Sequence, residues 1–474
     1  MSLTSIGFFA FFAAACIVYF VTPARYRRFA LLFVNLCFYA FLGLEFTITL
    51  AAVIGASYLL AFAVERAKRK RLALGLSVAL IIGALVALKY LGFIFSLFGG
   101  ASDTISTLIA PIGLSFYTLT CVGYLIDVYR GKTAPEKSFI DYSLFVGLFV
   151  GIMSGPIPRS YELLPQVRQP KDFDFERLKS GFARMVFGLA VKLVVADNLA
   201  ASVNHYFSTY INSNSYNLLF AALLYGVQIY CDFRAYTDIV LGAGEILGFT
   251  LPENFKAPYL SRNIREVWRR WHISLSSWFR DYLYFPLGGS RCCTLRIVFN
   301  TLVVFALSGL WHGASLNFLV WGLIHGVLLS LSVLLKKPRE FAIKTLRVKD
   351  NGFYHKYICP VIVFLLTDFA WIFFRAPTFT DAINYIWRIF KIPEYSFPTF
   401  LLPSLYIPNG HTIATLVGIV VVFVSDIYIY RGAELHKKLG EAKTWVRFAV
   451  YYALLLSVMF FGTFGSSSFI YFNF

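Results

Sequence analysis

Apolar runs succeed one another along the chain with little polar sequence between them, at roughly 6 to 22, 29 to 44, 46 to 64, 72 to 98, 107 to 126, 140 to 157, 181 to 203, 217 to 250, 295 to 335, 358 to 375, 412 to 430 and 446 to 464. A helix needs about 20 mostly apolar residues to cross a hydrocarbon layer of ~30 Å, so the pattern predicts roughly 11 to 13 crossing or re-entrant segments, the longer runs holding more than one. The fold class expected is an all-α polytopic membrane protein. It is read as a single integral membrane domain over 1–474, with N-terminal helices at 1–135, a core at 136–335, and C-terminal helices and a tail at 336–474.

The pattern is least regular in the middle. Pro156, Pro158 and Pro165 break SGPIPRSYELLP, and the stretch 253 to 272, ENFKAPYLSRNIREVWRRWH, is too polar to cross. Irregular backbone at membrane depth survives only where protein or a cavity covers it. Residues 140 to 330 are therefore read as tilted, short and re-entrant helices around a site. Within them Trp271, Leu275, Trp278, Tyr282 and Phe285 recur at three- and four-residue steps while Arg269, His272, Ser276 and Arg280 fall off that stripe. This predicts an amphipathic helix lying along the interface.

Composition agrees with the pattern: 58% of residues are hydrophobic and only 14% charged. The net charge of +18 does not point to nucleic acid, because the basic residues fall in short loops at 65 to 71, 336 to 349 and 431 to 447 rather than on a soluble domain. That is the positive-inside arrangement. With Arg25, Arg27 and Arg28 after the first run and no Lys or Arg before it, the N-terminus is placed outside and the first run is kept as a helix rather than a cleaved signal. The Lys-free turn 99 to 106 then falls outside, and 129 to 137 inside. Seven cysteines without a CxxC pair suggest neither a disulfide framework nor a metal site.

Against this background His312 stands out. It lies in FALSGLWHGASLNFLVWGLIHGVLL, with no Lys or Arg between Arg296 and Lys336. An ionisable group at membrane depth is costly and usually faces a protein interior or a wet cavity. Burial without a nearby cation favours the neutral imidazole. The residues leave two readings open, a general base or a hydrogen-bonded packing histidine. His325, about 220° round an ideal continuous helix from His312, is read as structural. His272 follows a basic run holding Arg262, Arg265, Arg269 and Arg270. Arginines interleaved with aromatics suit a phosphorylated, adenine-containing donor, or else lipid headgroups; the donor-binding candidates are Arg265, Arg269, Arg270, Trp268 and Trp311. In YCDFRAYTDIVLGAGEILGF, Asp232, Arg234 and Asp238 sit in an apolar segment with Arg234 one turn from Asp238, and a cavity-shaping ion pair is expected.

Together SGPIPR, YCDFRAYTDIVLGAGEILGF, WRRWHISLSSWFRDYLYFPLGG and SGLWHGASLNFLVWGLIHG resemble the membrane-bound O-acyltransferase family, in its bacterial branch that acetylates alginate, over about 110 to 474. The resemblance implies a ring of helices around a thinned centre with a tunnel. It carries the family's catalytic histidine onto His312 and the preceding one onto His272. It implies no permanently bound cofactor, but an acyl thioester as donor substrate: acetyl-coenzyme A or a carrier-protein thioester. It further implies an extracytoplasmic SGNH-type partner transferase, a polysaccharide as final acceptor, contact with membrane lipid and none with nucleic acid, in a bacterial cytoplasmic membrane. The tail SSSFIYFNF resembles acyl-transfer tails of bacterial acyl exporters, which makes Tyr471 a third catalytic candidate as a covalent relay at the outer mouth; the alternative is an aromatic anchor at the interface. D-alanyl export, a polysaccharide or lipid transporter, and a non-catalytic scaffold are the rival functions.

Overall fold

A computed structural model describes residues 2–91, 94, 111–169, 171–345, 349, 352–391, 405–407, 410–465 and 469–473. The turn 99 to 106 lies outside the described residues. The described chain is helical, without strands. Nine helices in it are long and apolar enough to cross a membrane, and Ile6–Val21 and Leu114–Tyr129 are shorter apolar helices. Such helices satisfy every backbone donor internally, which lipid demands. Many of their large side chains point outward, Ile17, Phe33, Leu59, Leu76 and Val420 among them. In water such a surface would aggregate; in a bilayer it is the required one. The protein is a multi-pass membrane protein.

The chain forms two compact units. The first comprises Met1–Met185, Tyr236–Glu253 and Tyr471–Phe474; the second comprises Val186–Ala235 and Asn254–Ile470. In the first unit, the proline-rich stretch forms no single span. Helix Phe139–Gly147 starts on Ser138, whose hydroxyl accepts the Asp141 N–H, and ends where the turns of 148–159 begin. Side chains cover that bare backbone: Asn35 Oδ1 accepts the Phe149 N–H at 3.1 Å, and the Tyr236 hydroxyl accepts the Ser154 N–H at 2.8 Å and donates to the Gly155 carbonyl at 3.0 Å. Gly181 and Gly242 let two helix backbones meet, since a Cβ on either would strike the other's carbonyl oxygen.

The expectation that 140 to 330 holds mainly short helices is corrected. It contains the two longest helices among the described residues, Phe175–Ser208 and Ser215–Ile246, both largely buried. Their polar residues pair within protein, so length is not limited by lipid exposure. The first passes through a π-helical stretch, Val191–Ala196, of the kind that often marks functional positions.

The run 295 to 335 is a helical hairpin in the second unit, Thr294–His312 followed by Leu316–Leu334. Glycines set its closeness: a Cβ on Gly309 would meet the Phe318 carbonyl, and one on Gly322 the Phe305 carbonyl. Asn317 Nδ2 donates to the Ala376 carbonyl at 2.8 Å, tying the bend to the end of helix Cys359–Arg375. The Ser315 hydroxyl in turn donates to Asn317 Oδ1.

Candidate active site

The hairpin puts His312 on the last residue of its first helix, at the bend. Its ring is 2% exposed and packs edge-on against Trp321 (centroids 5.0 Å apart), Phe374 (5.3 Å) and its neighbour Trp311 (4.9 Å). The helix break at 313–315 overturns the expectation built on a continuous helix. His325 lies on the second helix and also packs on Trp321, at 5.1 Å, so one indole separates the two imidazoles. Neither ring nitrogen of His325 has a hydrogen-bond partner among the described residues.

His272 precedes helix Ile273–Phe279 and takes a left-handed conformation, φ 42° and ψ 55°. For a residue with a Cβ this is a strained geometry that the surroundings must enforce. Asn254 enforces it. Its carbonyl accepts the Ile273 N–H at 3.0 Å, and its Oδ1 accepts the Ser274 hydroxyl at 2.6 Å and the Ser274 N–H at 3.3 Å. Because a backbone N–H donates to it, the Asn254 atom is the oxygen. His272 Nδ1, 3.4 Å from the same oxygen, therefore carries the proton, which leaves Nε2 as the basic nitrogen. Burial pushes the imidazole down to about 3, so it is neutral at physiological pH. The ring packs on Phe233 at 4.8 Å and on Trp311 at 6.3 Å. Trp311 thus touches both candidate histidines.

The aromatic stripe turns inward rather than along an interface. Trp271, Leu275, Trp278 and Tyr282 are buried and only Phe285 is exposed; the stretch is the short helix Ile273–Phe279, entered after a break at Trp271 and His272 and followed by the π-helical turn Arg280–Tyr284. The donor-binding candidates separate accordingly. Arg265 and Arg269 are exposed, four residues apart on one helix. Arg270 is engaged by Glu266 at 2.9 Å, donates to the Lys256 carbonyl, and lies over the Tyr430 ring. Trp268 faces His325, with centroids 4.9 Å apart.

The buried charges pair, and both Arg234 and Asp238 have partners far away in the sequence. In the second unit Arg234 binds Asp426 at 2.5 Å and Ser425 at 2.9 Å. In the first unit Asp238 takes Arg184 at 2.9 Å, which also binds Glu253. Asp232 pairs with Lys192 at 2.7 Å, and Lys192 also with Asp197 at 2.6 Å.

Tyr471 lies in the first unit, in the short 3-10 turn Ile470–Asn473. It is 2% exposed, its side chain covered by protein. The Ser154 hydroxyl donates to its carbonyl at 3.3 Å, and Tyr236 packs on Phe472 at 5.6 Å. Ser466–Ser468 and Phe474 lie outside the described residues.

Sequence reasoning missed Asn254, Asn317, Trp321 and Phe374. Only Asn254, in the polar ENFKAP stretch, carried a signal.

Comparison with known proteins identifies the family. Residues 128–364 match the membrane-bound O-acyltransferase family. The chain is 34% identical to the probable alginate O-acetylase of Pseudomonas aeruginosa, over 84% of this chain and 76% of that protein. It is 31% identical to a peptidoglycan O-acetyltransferase of Helicobacter pylori over 80% of this chain and 78% of that protein. A teichoic acid D-alanyltransferase of Bacillus subtilis is 28% identical over 47% of this chain and 59% of that protein. A buried imidazole at a helix bend, a helical membrane fold and these matches lead to one assignment: the chain belongs to the membrane-bound O-acyltransferase family.

Proposed function

We propose that this O-acyltransferase carries an acyl group, acetyl in the simplest case, from a cytoplasmic thioester to an acceptor across the membrane, for O-acetylation of a secreted or cell-surface polysaccharide. The names of its relatives support the acceptor class: matches that cover four fifths of the chain are to alginate and peptidoglycan O-acetylating proteins, and the D-alanyltransferase match covers about half. Acetyl-coenzyme A is the donor, with its phosphates on Arg265 and Arg269 at the cytoplasmic face. The protein resides in a bacterial cytoplasmic membrane with its N-terminus outside.

The observation that carries this reading is the pair of buried imidazoles sharing Trp311. His312 accepts the proton of an attacking hydroxyl. The oxygen bonds to the thioester carbonyl carbon, the C–S bond breaks, and the imidazolium returns the proton to the departing thiolate. His272, neutral and fixed in its Nδ1–H tautomer, offers Nε2 as a second polar contact. The first hydroxyl acylated is that of Tyr471, and the acyl ester then passes to an extracytoplasmic SGNH-type transferase; a covalent relay divides one long transfer into two short ones.

The test is transfer by the protein reconstituted in vesicles loaded with labelled acetyl-coenzyme A. His312→Ala is expected to lower transfer by about 10²- to 10⁴-fold, the usual weight of general-base catalysis, with the protein still folded by thermal melting. Undiminished transfer refutes the general base. Transfer from a D-alanyl carrier protein but not from acetyl-coenzyme A moves the function to D-alanyl export.

A further inference from the structure

The buried ion pair Lys192–Asp232 has both partners almost fully withdrawn from solvent, with side chains 1% and 2% exposed. Two buried charges are costly unless their remaining lone pairs and protons find partners. On the Lys192 side, Asp197 takes one proton at 2.6 Å. On the Asp232 side, the free oxygen is taken by the tail: Oδ1 accepts from Lys192 at 2.7 Å while Oδ2 accepts the backbone N–H of Ile470 at 2.8 Å. Lys192 also lies over the Phe469 ring, 4.7 Å from its centroid, and that ring is 1% exposed. The residue whose N–H is captured immediately precedes Tyr471.

The approach to the tail is fixed by the same stretch of helix. The Leu193 carbonyl accepts the Thr463 N–H at 3.1 Å, Asn198 Nδ2 donates to the Phe461 carbonyl at 2.9 Å, and the Thr463 hydroxyl donates to Asn198 Oδ1 at 2.6 Å. The π-helical geometry of Val191–Ala196 supplies the means. A wider turn displaces carbonyls from the ordinary ladder and leaves them available to outside donors.

We propose that Lys192 and Asp232 form a clamp that seats Phe469 and Ile470 and so are positioning residues for Tyr471, the next residue in the chain, an inference that rests on Tyr471 being the acyl relay. A carboxylate has an acceptor for each of the two donors that converge on it. A carboxamide has one acceptor and a donor, so Asp232→Asn must set a donor against either Lys192 or the Ile470 N–H, whichever way it turns. Lys192 keeps Asp197 in that variant. Ile470→Pro removes the captured N–H and leaves every charge in place, and proline is tolerated on the first residue of a helical turn.

The full-length protein, exposed to acetyl-coenzyme A, is followed by mass spectrometry of the Tyr471 adduct and by hydrogen exchange of the tail. Asp232→Asn and Ile470→Pro are each expected to slow adduct formation by about ten- to a hundredfold, the weight of one hydrogen bond to a charged acceptor. KM for acetyl-coenzyme A should stay within about twofold, because the donor's contacts are untouched and only uniform binding would move it. Deuterium uptake in the tail should rise in Asp232→Asn. Ile470→Ala, which keeps the N–H, should recover most of the rate lost in Ile470→Pro. Wild-type adduct rates in Ile470→Pro, or an unchanged tail exchange in a folded Asp232→Asn protein, overturn the clamp. The relay fails separately, when the wild-type protein transfers acetyl with no adduct on Tyr471; the exchange experiment still decides whether Asp232 seats the tail.

Discussion

His272 shows how a single side chain can be held in an unfavourable backbone conformation and an unfavourable dielectric at once. Asn254 fixes its backbone and its tautomer, and burial holds its ring at about 3 against an ordinary 6.5. Between those values the unfolded chain binds a proton that the folded protein refuses, so stability falls as pH drops through the window. From about pH 7 to about pH 5 the loss amounts to ~2 kcal/mol, taking 1.36 kcal/mol per unit below 6.5. Melting of the detergent-solubilised protein at both pH values, compared with His272→Gln, measures it: the variant cannot titrate and its acid loss should be smaller by that amount. Equal losses in the two proteins would refute the depressed imidazole. A second consequence is chemical, since the ring stays uncharged throughout the neutral range and keeps the Nε2 lone pair as a hydrogen-bond acceptor rather than a base.

At the scale of elements, the helical hairpin whose first helix ends at His312 shapes the candidate site. Gly309 and Gly322 bring Thr294–His312 and Leu316–Leu334 close enough for Trp321 to reach His312 and His325 together. A side chain at Gly322 would strike the Phe305 carbonyl, and backbone cannot step aside cheaply. Gly322→Val is expected to cost about 1 to 3 kcal/mol as overpacking, and to slow transfer because small misplacements of a catalytic group are expensive. Gly83, where an added Cβ would meet nothing within 4 Å, provides the contrast. Gly83→Ala should melt at or slightly above the parent, following helix propensity. Similar melting of the two variants would show that the close packing does not matter. These elements also mark what was legible in the sequence. Runs of apolar residues gave nearly every long helix within a few positions, and an imidazole in such a run gave His312. The break at 313–315 was hidden because Gly-Ala-Ser is apolar enough to continue a hydropathy run, and it carries no proline. The pairing of Arg234 with Asp426 was hidden for another reason. Asp426 lies 192 residues from Arg234, and local spacing carries no signal of so distant a carboxylate.

Over the whole molecule, helix count and basic loops make a joint prediction of sidedness. With the N-terminus outside, helices Ile6–Val21, Arg27–Leu42 and Leu44–Arg66 bring the Lys68–Arg71 cluster to the cytoplasmic side. Lys70–Lys89 and Leu114–Tyr129 return the chain there at Arg130 and Lys132. An even number of long helices follows before the next basic cluster: Phe175–Ser208, Ser215–Ile246, Thr294–His312 and Leu316–Leu334, so Lys336 to Lys349 falls inside again. Tyr354–Arg375 and His411–Tyr430 make a further pair ahead of the 431 to 447 cluster, and the remaining span, Thr444–Phe461, carries the tail outside. Each basic loop falls on one side only if the two longest helices each cross once and Phe379–Phe390 does not cross. The positive-inside tendency is strongest for such short loops, so the arrangement is checked by epitope tags inserted one at a time after Ala67, Ala342 and Ala433, with another before Ile6, in right-side-out vesicles. The three loop tags should be reached by antibody only after permeabilisation, and the tag before Ile6 without it. A loop tag at 342 or 433 reached from outside would change the parity of crossings and move Tyr471 to the cytoplasmic face, where a relay to an extracytoplasmic acceptor could not operate.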